Sequence, residues 1–411
     1  MANIFDSASR KNSVFLDRRV FDPHHSPPTL NHRDTQIRAM VMNLADALEG
    51  HIPGNMILFG PSGVGKTAAS RFVGQQLEER AQIIGSSVYT HEINCQHVNT
   101  RYRVLHRIAE SLQQTGDQVI PFTGWPADRV LSETIRMMDR QGGVHILILD
   151  EMDQLASRSE DQLLYDLTNL NVLLTESRAS IIGISNDLGF TEKIPGPIRS
   201  RLSAEDIVFT PYDSDQLADI LVERAKIGLR KGSWDEGTLR FCADLSAKEH
   251  GDARRAIDLL RVSTLRAETN NSNSIEIEHI QLAHKQVEYE RVIALLHGLP
   301  LHQKLTMTSI IINERNGILT QTTGTIWETY TQACGLAGMK PLTSRSLSSI
   351  INGFHSASLA HVKNVSLGRR GRTKHVSSLI PRGIDAISIM SEVDETIKLA
   401  AHGSYKLQRR L

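Results

Sequence analysis

The stretch GPSGVGKT, residues 60–67, decides the fold of this chain. It matches the pattern G-x-x-x-x-G-K-[ST] and lies between an apolar run at 56–59, predicted as a strand, and a predicted helix. In that context glycines let backbone N–H groups turn inward around an anion, the lysine charge reaches the outer phosphates, and the threonine hydroxyl binds Mg²⁺. The predicted nucleotide-binding residues of this loop are Gly60, Gly63, Val64, Gly65, Lys66 and Thr67.

An acidic pair follows a later apolar run. Residues 144–149 read VHILIL, a composition typical of a strand buried on both faces of a parallel sheet, and Asp150 and Glu151 come directly after them. This strand end is the expected place for the second half of a P-loop site. Asp150 is therefore predicted to hold Mg²⁺ through the water shell of the metal, together with Thr67. Glu151 is then placed to polarise the attacking water as a general base.

Four further polar residues are candidates for contact with the phosphates, each with an ordinary alternative. Asn186 follows the next apolar strand, where its amide would orient the water or touch the γ phosphate, or would only stabilise a surface turn. Arg199 and Arg201 precede another predicted strand, and either would serve as an arginine finger towards a neighbouring subunit or be solvated. Arg254 opens a predicted helix, where the helix dipole disfavours a cation, so a phosphate, solvent or an acid must compensate.

The order of predicted elements divides the chain into four parts. Alternating strands and helices up to Pro211 predict an α/β domain with a doubly wound parallel sheet. Four amphipathic patterns then predict an all-helical lid, whose last helix should end near Glu290. We place an irregular lead-in at 1–35, the ATP-binding base at 36–211, the lid at 212–290 and an α+β winged-helix domain at 291–411.

The net charge of the chain is zero, but the charge is unevenly distributed. Residues 329–384 contain no Asp or Glu and eight Lys or Arg. Within them, 344–354 has the composition of a recognition helix and 363–376 that of a basic β-hairpin, or wing. Such surfaces contact phosphates and enter DNA grooves, whereas a protein-binding winged helix is the alternative. The predicted DNA-binding residues are Ser344, Arg345, Ser348, Arg369, Arg370, Arg372 and Lys374.

The composition excludes several other classes of protein. With 40% hydrophobic and 22% charged residues, the chain has the make-up of a folded globular protein. No apolar run approaches the ~18 residues needed to span a bilayer, and we expect no signal peptide at residues 1–12, because they are polar and no apolar segment follows them. We therefore expect a cytoplasmic, nucleoid-associated protein that makes no membrane contact. The three cysteines are far apart, which favours neither a disulfide framework nor a zinc site.

These motifs together resemble those of the archaeal origin-recognition and Cdc-six type initiators of DNA replication, which are AAA+ ATPases. The resemblance covers nearly the whole chain. Besides the P-loop, the matching stretches are LNHRD (30–34), LDEMDQL (149–155), ISNDLGF (184–190), IVFTPY (207–212), EHGDARRAIDLLR (249–261) and LPLHQKL (299–305).

The resemblance implies roles that the residue pattern alone leaves open. Asn186 is implied as sensor 1 and Arg254 as sensor 2, and Tyr212 and Arg224 are implied to line the nucleotide. It also implies an inserted helix between about residues 118 and 140 that touches DNA from the ATPase domain.

The resemblance further implies a way of working. Proteins of this kind bind double-stranded origin DNA, use ATP and ADP as a conformational switch with slow hydrolysis, and are associated with loading an MCM-type replicative helicase. Self-association on DNA is also implied. Pro197 stands where relatives often carry an additional arginine, so the choice between Arg199 and Arg201 as the finger stays open.

Two other classes of protein share parts of this pattern. A signalling or transcription-regulating ATPase with a winged helix would bind promoters, and it should lack the arginine pair at 254–255. A clamp-loader-like enzyme would form an obligate ring, and its isolated C-terminal domain would leave no footprint on DNA.

Overall fold

The computed structural model describes residues 13–22, 25, 27, 29–114, 119–157, 161–249, 251–366, 372–381, 383–403 and 405. The chain divides into two compact units, Met1–Ile280 and Gln281–Leu411. The first contains a parallel sheet and a helical lid, and the second contains a winged helix.

A five-stranded parallel sheet forms the centre of the first unit. Its strands are β1 (Met56–Phe59), β2 (Val88–Asn94), β3 (Gly143–Asp150), β4 (Ser177–Ser185) and β5 (Glu205–Val208). They lie in the order β2-β3-β4-β1-β5. The three inner strands are almost entirely buried, whereas the outer strands β2 and β5 are partly exposed, as expected when helices cover both faces.

The parallel arrangement brings several strand ends together. In register, Phe59 of β1 pairs with Ser185 of β4, and Leu149 of β3 pairs with Gly183 of β4. The carboxyl ends of these three strands therefore lie side by side at one edge of the sheet. In open α/β sheets, ligands bind at the side of the sheet where the carboxyl ends of the strands lie.

Helices cover both faces of the sheet, which confirms the predicted doubly wound fold. Ile57 and Phe59 belong to a core cluster on one face, and Met56 and Leu58 belong to a cluster on the other, because side chains alternate along a strand. The helices of this part are α1 (Asp34–Leu44), α2 (Lys66–Ile84), α3 (Arg101–Ser111), α4 (Ala127–Gln141), α5 (Asp153–Ser157), α6 (Asp161–Thr168), α7 (Leu170–Leu173), α8 (Phe190–Lys193) and α9 (Gly196–Leu202).

The helical lid follows β5. It contains α10 (Ser214–Gly228), α11 (Glu236–Glu249), α12 (Ala253–Thr269) and the start of α13 (Ile277–Gly298). The predicted helix end near Glu290 is wrong, because no glycine or proline occurs before Gly298 and the apolar pattern continues through the buried Val292 and Leu296. The domain limit predicted at 290 thus falls inside α13.

The N-terminal segment predicted as an irregular lead-in is ordered over residues 13–22 and packs on the lid. Leu16 N and Asp17 N both donate to the Gly228 carbonyl, and a 3-10 helix spans Arg18–Phe21. The buried carboxylate of Glu268 on α12 accepts hydrogen bonds at 2.6 Å from Ser13 Oγ and 2.9 Å from Val14 N. These contacts fasten the segment to two lid helices.

The second unit is a winged helix, as predicted. Its elements are α14 (Leu301–Arg315), β6 (Gln321–Thr322), α15 (Thr323–Leu336), α16 (Ser344–Ser356), β7 (Ala360–Ser366), β8 (Arg372–Ser378), α17 (Ala386–Val393) and α18 (Glu395–Ala401). The strands form an antiparallel sheet in the order β6-β8-β7. Tyr330, Leu347, Ile351 and Phe354 are buried in the core, so α15 and α16 each turn one apolar face inward.

Within the part of the chain that the structure describes, no helix is both long and apolar enough to cross a membrane. Cys95, Cys242 and Cys334 are free and buried there. Burial raises the pKa of the Cys95 and Cys242 thiols to about 12, as expected of core cysteines.

Candidate functional site

The P-loop closes around the first turn of α2. Gly65 caps this helix with φ of 92°, a left-handed conformation, and a Cβ atom there would come within 2.9 Å of the Tyr212 hydroxyl. Glycine is the residue that fits both demands. Arg33 stabilises the backbone of the loop, because its Nε donates a hydrogen bond of 2.9 Å to Val64 O.

Lys66 is buried and its ammonium makes three hydrogen bonds. Nζ donates to the carbonyls of Gly60 and Pro61 at 2.6 and 2.7 Å, and to Asn186 Oδ1 at 2.9 Å. Burial lowers the pKa of Lys66 to about 8, against the opposing effect of the nearby Asp150 carboxylate. The predicted lysine and the predicted sensor asparagine therefore meet at one point of the site.

Two oxygen groups suited to a hard cation lie beside the lysine. Thr67 Oγ1 donates to Asp150 Oδ2 at 2.9 Å, which joins the start of α2 to the end of β3. A hydroxyl and a carboxylate are ligands that Mg²⁺ accepts, and Mg²⁺ usually takes its other ligands from water and phosphate. Among the described residues no group of three His, Cys, Asp or Glu forms a metal cage. The Thr67 hydroxyl and the Asp150 carboxylate leave further positions of a bound Mg²⁺ to water and phosphate, so the pair fits a metal bound together with a nucleotide.

Glu151 stands in an unusual backbone conformation. Its φ is 56°, which is rare outside glycine and asparagine, and its N–H donates to Asp150 Oδ1 at 3.0 Å. Burial raises the pKa of the Glu151 carboxyl, with further contributions from Asp150 and Asp153. A carboxyl group with a raised pKa at the edge of a polar cleft has the properties expected of a general base.

The cleft itself contains most of the predicted site. The predicted residues that line it are Gly63, Gly65, Lys66, Thr67, Asp150, Glu151, Asn186 and Arg254. The sheet register and the lid together bring these residues to one place, although they come from widely separated parts of the chain.

The lid meets the P-loop through the start of α12. Ala253 N donates to Gly63 O at 3.1 Å, and a Cβ atom on Gly63, whose φ is 75°, would lie only 1.7 Å from Asp252 Oδ1. Asp252 in turn caps α12 by accepting from Arg254 N at 2.8 Å. The same carboxylate thus contacts the loop and fixes the turn that carries Arg254.

A second, more apolar pocket continues from the P-loop between the N-terminal segment and the lid. The apolar and aromatic residues that line it are Phe21, Pro27, Leu30, Tyr212, Ile220 and Ile257. Gly63, Gly65 and Thr67 line it as well, so it opens onto the phosphate cleft. A flat, largely apolar group attached to a phosphate chain is the kind of ligand that such a pair of pockets accepts.

Arg224 lies at this pocket, but its guanidinium is already engaged. It is buried and donates to Val20 O at 2.9 Å and His25 O at 3.4 Å. The structure therefore gives Arg224 a second use beside the predicted one, namely to hold the N-terminal segment along the pocket.

Arg33 is a site residue for which the sequence predicts no role, although it belongs to the LNHRD stretch. It is 2% exposed, donates to Thr210 O at 2.8 Å as well as to Val64, and stacks 3.7 Å from the centre of the Tyr212 ring. Its charge is balanced by carbonyl dipoles and a ring face. In the sequence Arg33 is only a basic residue ahead of α1, and its buried position between Val64 and Thr210 follows from neither spacing nor charge.

Arg199 and Arg201 are not brought to the nucleotide cleft of their own chain. Both are exposed on α9, and the Arg201 guanidinium lies 4.6 Å from the centre of the Tyr165 ring. Neither residue lines the two pockets beside the P-loop. Their use as a finger stays a prediction that concerns a neighbouring subunit.

The inserted segment presents aromatic and basic side chains together. The Arg129 guanidinium on α4 lies 3.8 Å from the Trp125 ring, and that of Arg103 on α3 lies 5.6 Å from the ring of the exposed Phe122. Gln118, where the predicted segment begins, lies outside the described residues. Such aromatic and cationic surfaces suit nucleic acid, and the DNA contact of this segment stays a prediction.

In the winged helix, Ser344 and Arg345 are exposed at the start of α16. Lys374 of β8 is half-buried, and its ammonium donates to Ser348 and to Asn352 on α16. Arg369 and Arg370 lie outside the described residues. Arg372 is the first residue of β8, and only its backbone is described. The hairpin itself is present where the basic pattern predicts it.

Three family models match consecutive parts of the chain. Residues 51–184 match an AAA domain, residues 218–285 match the Cdc6 AAA+ ATPase-type lid domain, and residues 294–384 match the CDC6 C-terminal winged helix domain. The matches follow the predicted order of an ATPase base, a helical lid and a winged helix.

Two relatives are similar over nearly their whole length. The ORC1-type DNA replication protein of Thermococcus kodakarensis is 36% identical over 376 residues, which is 92% of this chain and 91% of the relative. The ORC1-type DNA replication protein 1 of Archaeoglobus fulgidus is 38% identical over 375 residues, covering 91% of this chain and 90% of the relative.

Solved structures show the same likeness. The ORC1 protein of Aeropyrum pernix, solved in complex with DNA, has 37% identity and a TM-score of 0.78, covering 93% of this chain and 98% of that chain. The ORC2 protein of Aeropyrum pernix, solved as ADPNP-ADP complexes, has 22% identity and a TM-score of 0.66, and it shares the fold over 93% of this chain and 98% of its own.

Proposed function

The chain belongs to the family of ORC1-type DNA replication proteins, and on that premise we propose that it is an ATP-dependent initiator that binds double-stranded DNA at replication origins. The observation that carries the proposal is the identity of 36% and 38% with ORC1-type proteins along about nine-tenths of the chain. The assembled P-loop cleft and the winged helix support the proposal, because they are the parts that would bind ATP and DNA.

ATP or ADP is the proposed nucleotide of the cleft. Lys66 would contact the β and γ phosphates, and Thr67 and Asp150 would hold Mg²⁺, whose charge offsets that of the phosphates. Glu151 would accept a proton from the attacking water, and Asn186 would orient that water. The adenine would lie in the apolar pocket beside Tyr212.

We propose that the nucleotide acts mainly as a switch. Asp252 and Ala253 of the lid contact the P-loop at Gly63, so a γ phosphate bound there sits where lid and base meet. Arg254 lines both pockets from the lid side and would detect that phosphate. If ATP and ADP bind the possible lid positions with different free energies, exchanging one for the other shifts the lid from one position to another. Such a switch needs only slow hydrolysis.

Duplex DNA is the proposed partner of the winged helix, because the basic residues of 329–384 have no acidic neighbours in sequence and α16 exposes Arg345. An MCM-type replicative helicase or its loader is the proposed downstream partner. Self-association on DNA would bring Arg199 or Arg201 to the cleft of a neighbouring copy, as an arginine finger requires.

The nucleotide half of the proposal is tested with Lys66→Ala. We expect the variant to lose ATP retention, whereas Lys226→Ala, which removes an exposed lysine of α10, should bind ATP as the wild type does. Equilibrium titration with a fluorescent ATP analogue measures both. Normal ATP binding by Lys66→Ala would contradict the assignment of the site.

The biological half is tested by chromatin immunoprecipitation of the full-length protein in its own cells. A sharp peak over a replication start supports an initiator. Peaks confined to promoters would favour the alternative function, a transcription-regulating ATPase with a winged helix, and would overturn the proposal.

A further inference from the structure

Arg33 connects two segments that meet at the nucleotide cleft. Each of its three guanidinium nitrogens donates to a different carbonyl: Nε to Val64 O at 2.9 Å, Nη2 to Thr210 O at 2.8 Å and Nη1 to His32 O at 3.2 Å. Val64 belongs to the P-loop, and Thr210 lies in the linker, residues 209–213, between β5 and α10 of the lid. One side chain therefore holds the linker to the P-loop.

The three hydrogen bonds also fix the plane of the Arg33 guanidinium, because its donors form a rigid fork. The guanidinium lies 3.7 Å from the centre of the Tyr212 ring, so this ring of the linker lies against a group that the P-loop itself holds. Tyr212 also lines the apolar pocket beside the P-loop. Arg33 thus positions, through Tyr212, one wall of the pocket proposed for the adenine.

A second set of contacts joins the same linker to the P-loop from the lid side. Tyr212 N donates to Gly251 O at 3.0 Å, and Gly251 lies just before α12. A Cβ atom on Gly251, whose φ is 63°, would lie 2.4 Å from Tyr212 O, so this close approach requires glycine. Ala253 N of α12 then donates to Gly63 O at 3.1 Å. The contacts form a closed ring from the P-loop through Arg33, the linker and α12 back to the P-loop.

The residue before Arg33 extends this ring to a second lid helix. His32 has a φ of 61°, a strained conformation for a residue with a side chain, and its Nε2 lies 2.9 Å from Asp219 Oδ2 on α10. Arg33 O accepts a hydrogen bond of 2.8 Å from Ile37 N in the first turn of α1, which fixes both residues to the base. His32 and Arg33 therefore connect α1 of the base, the P-loop and the first helix of the lid.

Stability alone gives little reason for a charge at the position of Arg33. The side chain is 2% exposed, and burial lowers the pKa of Arg33, because removing its charge from water is unfavourable. Apolar residues of similar volume often replace buried ion pairs without loss of stability. The property that an apolar side chain lacks is directional hydrogen bonding to carbonyls of two separate segments.

We infer that Arg33 is a positioning residue that couples occupancy of the P-loop to the position of the lid, with His32 as its contact to α10. The Val64 carbonyl that Arg33 holds shares a peptide unit with the Gly65 N–H, and P-loop N–H groups are those that surround a bound phosphate. A shift of this peptide on phosphate binding therefore moves Arg33 and the linker with it. The inference rests on the proposed function, because it requires a nucleotide in the cleft and a lid that responds to it.

The inference is tested by measuring the distance between base and lid in the full-length protein with and without ATP and Mg²⁺. Spin labels are attached at Arg80→Cys on α2 and Asn270→Cys after α12, both exposed positions, and the native cysteines are buried. With no further change, saturating ATP should shift the distance. With Arg33→Met the shift should fall by more than half and ATP affinity should fall about tenfold, because coupling between two sites acts in both directions.

Arg38 supplies the matched control, because it is an exposed arginine on the same helix α1, and Arg38→Met should keep both the shift and the ATP affinity. Arg33→Lys keeps the charge but replaces the planar fork by a single nitrogen, so it should also lose most of the shift, and it serves if Arg33→Met does not fold. Asp219→Ala should reduce the shift less than Arg33→Met does. Asp215→Ala, which removes another exposed carboxylate of α10, should leave it unchanged.

A purely structural role of Arg33 gives a different result. If Arg33→Met lowers the free energy of unfolding but saturating ATP still shifts the label distance as in the wild type, Arg33 only supports packing and the inference is wrong. A full shift with Arg33→Lys overturns it equally, as does a wild-type protein that binds ATP without any change in the distance. A wild-type protein that binds no ATP would instead overturn the proposed function, and this inference with it.

Discussion

Lys66 of the P-loop and Lys374 of the wing have the same hydrogen-bonding pattern in different surroundings. Each ammonium donates to three acceptors, and one of the three is an asparagine Oδ1, that of Asn186 or of Asn352. Lys66 is buried in a cleft, whereas Lys374 is half-buried on a surface hairpin. The difference in surroundings decides whether a ligand can replace the acceptors.

The reason is electrostatic. Two unit charges 4 Å apart attract by about 4 kcal/mol near a protein cleft and by about 1 kcal/mol in water. A net hydrogen bond to a neutral acceptor contributes about 1 kcal/mol. A phosphate can therefore displace the carbonyls of Gly60 and Pro61 from Lys66, but at Lys374 it gains too little to offset the bonds it would break.

The comparison predicts unequal losses when each lysine is replaced by methionine. Lys66→Met should lower ATP affinity at least ~100-fold, since two charge-assisted bonds of about 1.5–3 kcal/mol are lost. Lys374→Met should lower affinity for a mixed-sequence duplex by less than about threefold, because only a screened charge is removed. Titrations by fluorescence anisotropy measure both, and losses of equal size would refute the comparison.

A third lysine sharpens it. Lys304 is 2% exposed and donates to Asp394 Oδ2 at 2.9 Å, so its acceptor carries a charge of its own. Lys304→Met should destabilise the winged helix by about 2 kcal/mol, less than for a fully buried pair because a third of Asp394 remains solvated. Urea unfolding should show this loss with unchanged duplex affinity per folded molecule. A fall in affinity without a fall in stability would speak against a structural role.

The buried position of Lys66 also predicts a dependence of stability on pH. Its folded pKa of about 8 lies below the unfolded value near 10.5, so between these values the unfolded chain binds more protons. Nucleotide-free wild type should therefore gain stability relative to Lys66→Met as pH rises from 8 to 10, by at most about 1.4 kcal/mol per pH unit. Thermal unfolding of both proteins at several pH values measures the difference in their stability. A difference that does not change with pH would mean that Lys66 is not desolvated.

The smallest predicted effects concern the helix caps at the start of α12 and of α16. Asp252 accepts from Arg254 N at 2.8 Å, and Thr343 Oγ1 accepts from Ser346 N at 3.2 Å. Replacing either by alanine should cost about 1 kcal/mol. Asp252→Ala should also weaken ATP binding by several-fold, because it contacts Gly63, and Asp252→Asn should restore most of it. Equal ATP affinity of Asp252→Ala and wild type would mean that the start of α12 does not contribute to nucleotide binding.

Much of the nucleotide cleft is predictable because its motifs have fixed positions in a parallel sheet. A glycine-rich loop after β1 and an acidic pair after β3 must meet, since carboxyl strand ends share one edge, and Thr67 and Asp150 do lie 2.9 Å apart. Composition and periodicity likewise predict the lid and the winged helix. These inferences need local patterns and one rule of topology.

The rest depends on contacts between distant parts of the chain. Arg33 reaches Thr210 and Arg224 reaches Val20, and neither sequence spacing nor charge indicates these partners. The charge of Lys374 predicts a phosphate contact, yet its direction is set by the register of β7 and β8. The sequence shows how many basic residues a segment has. Which partner each basic side chain contacts depends on the tertiary structure.

The attachment of the N-terminal segment to Glu268 has a kinetic consequence. Residues 13–14 of this segment are hydrogen-bonded to α12, and its Phe21 lines the apolar pocket beside the P-loop. A bound nucleotide would thus contact a segment that is attached to the lid, and its residence time would depend on how often the hydrogen bonds between that segment and Glu268 break. Glu268 does not line the P-loop cleft. Removing its carboxylate should therefore raise the rate of ADP release and leave the rate of ATP hydrolysis unchanged.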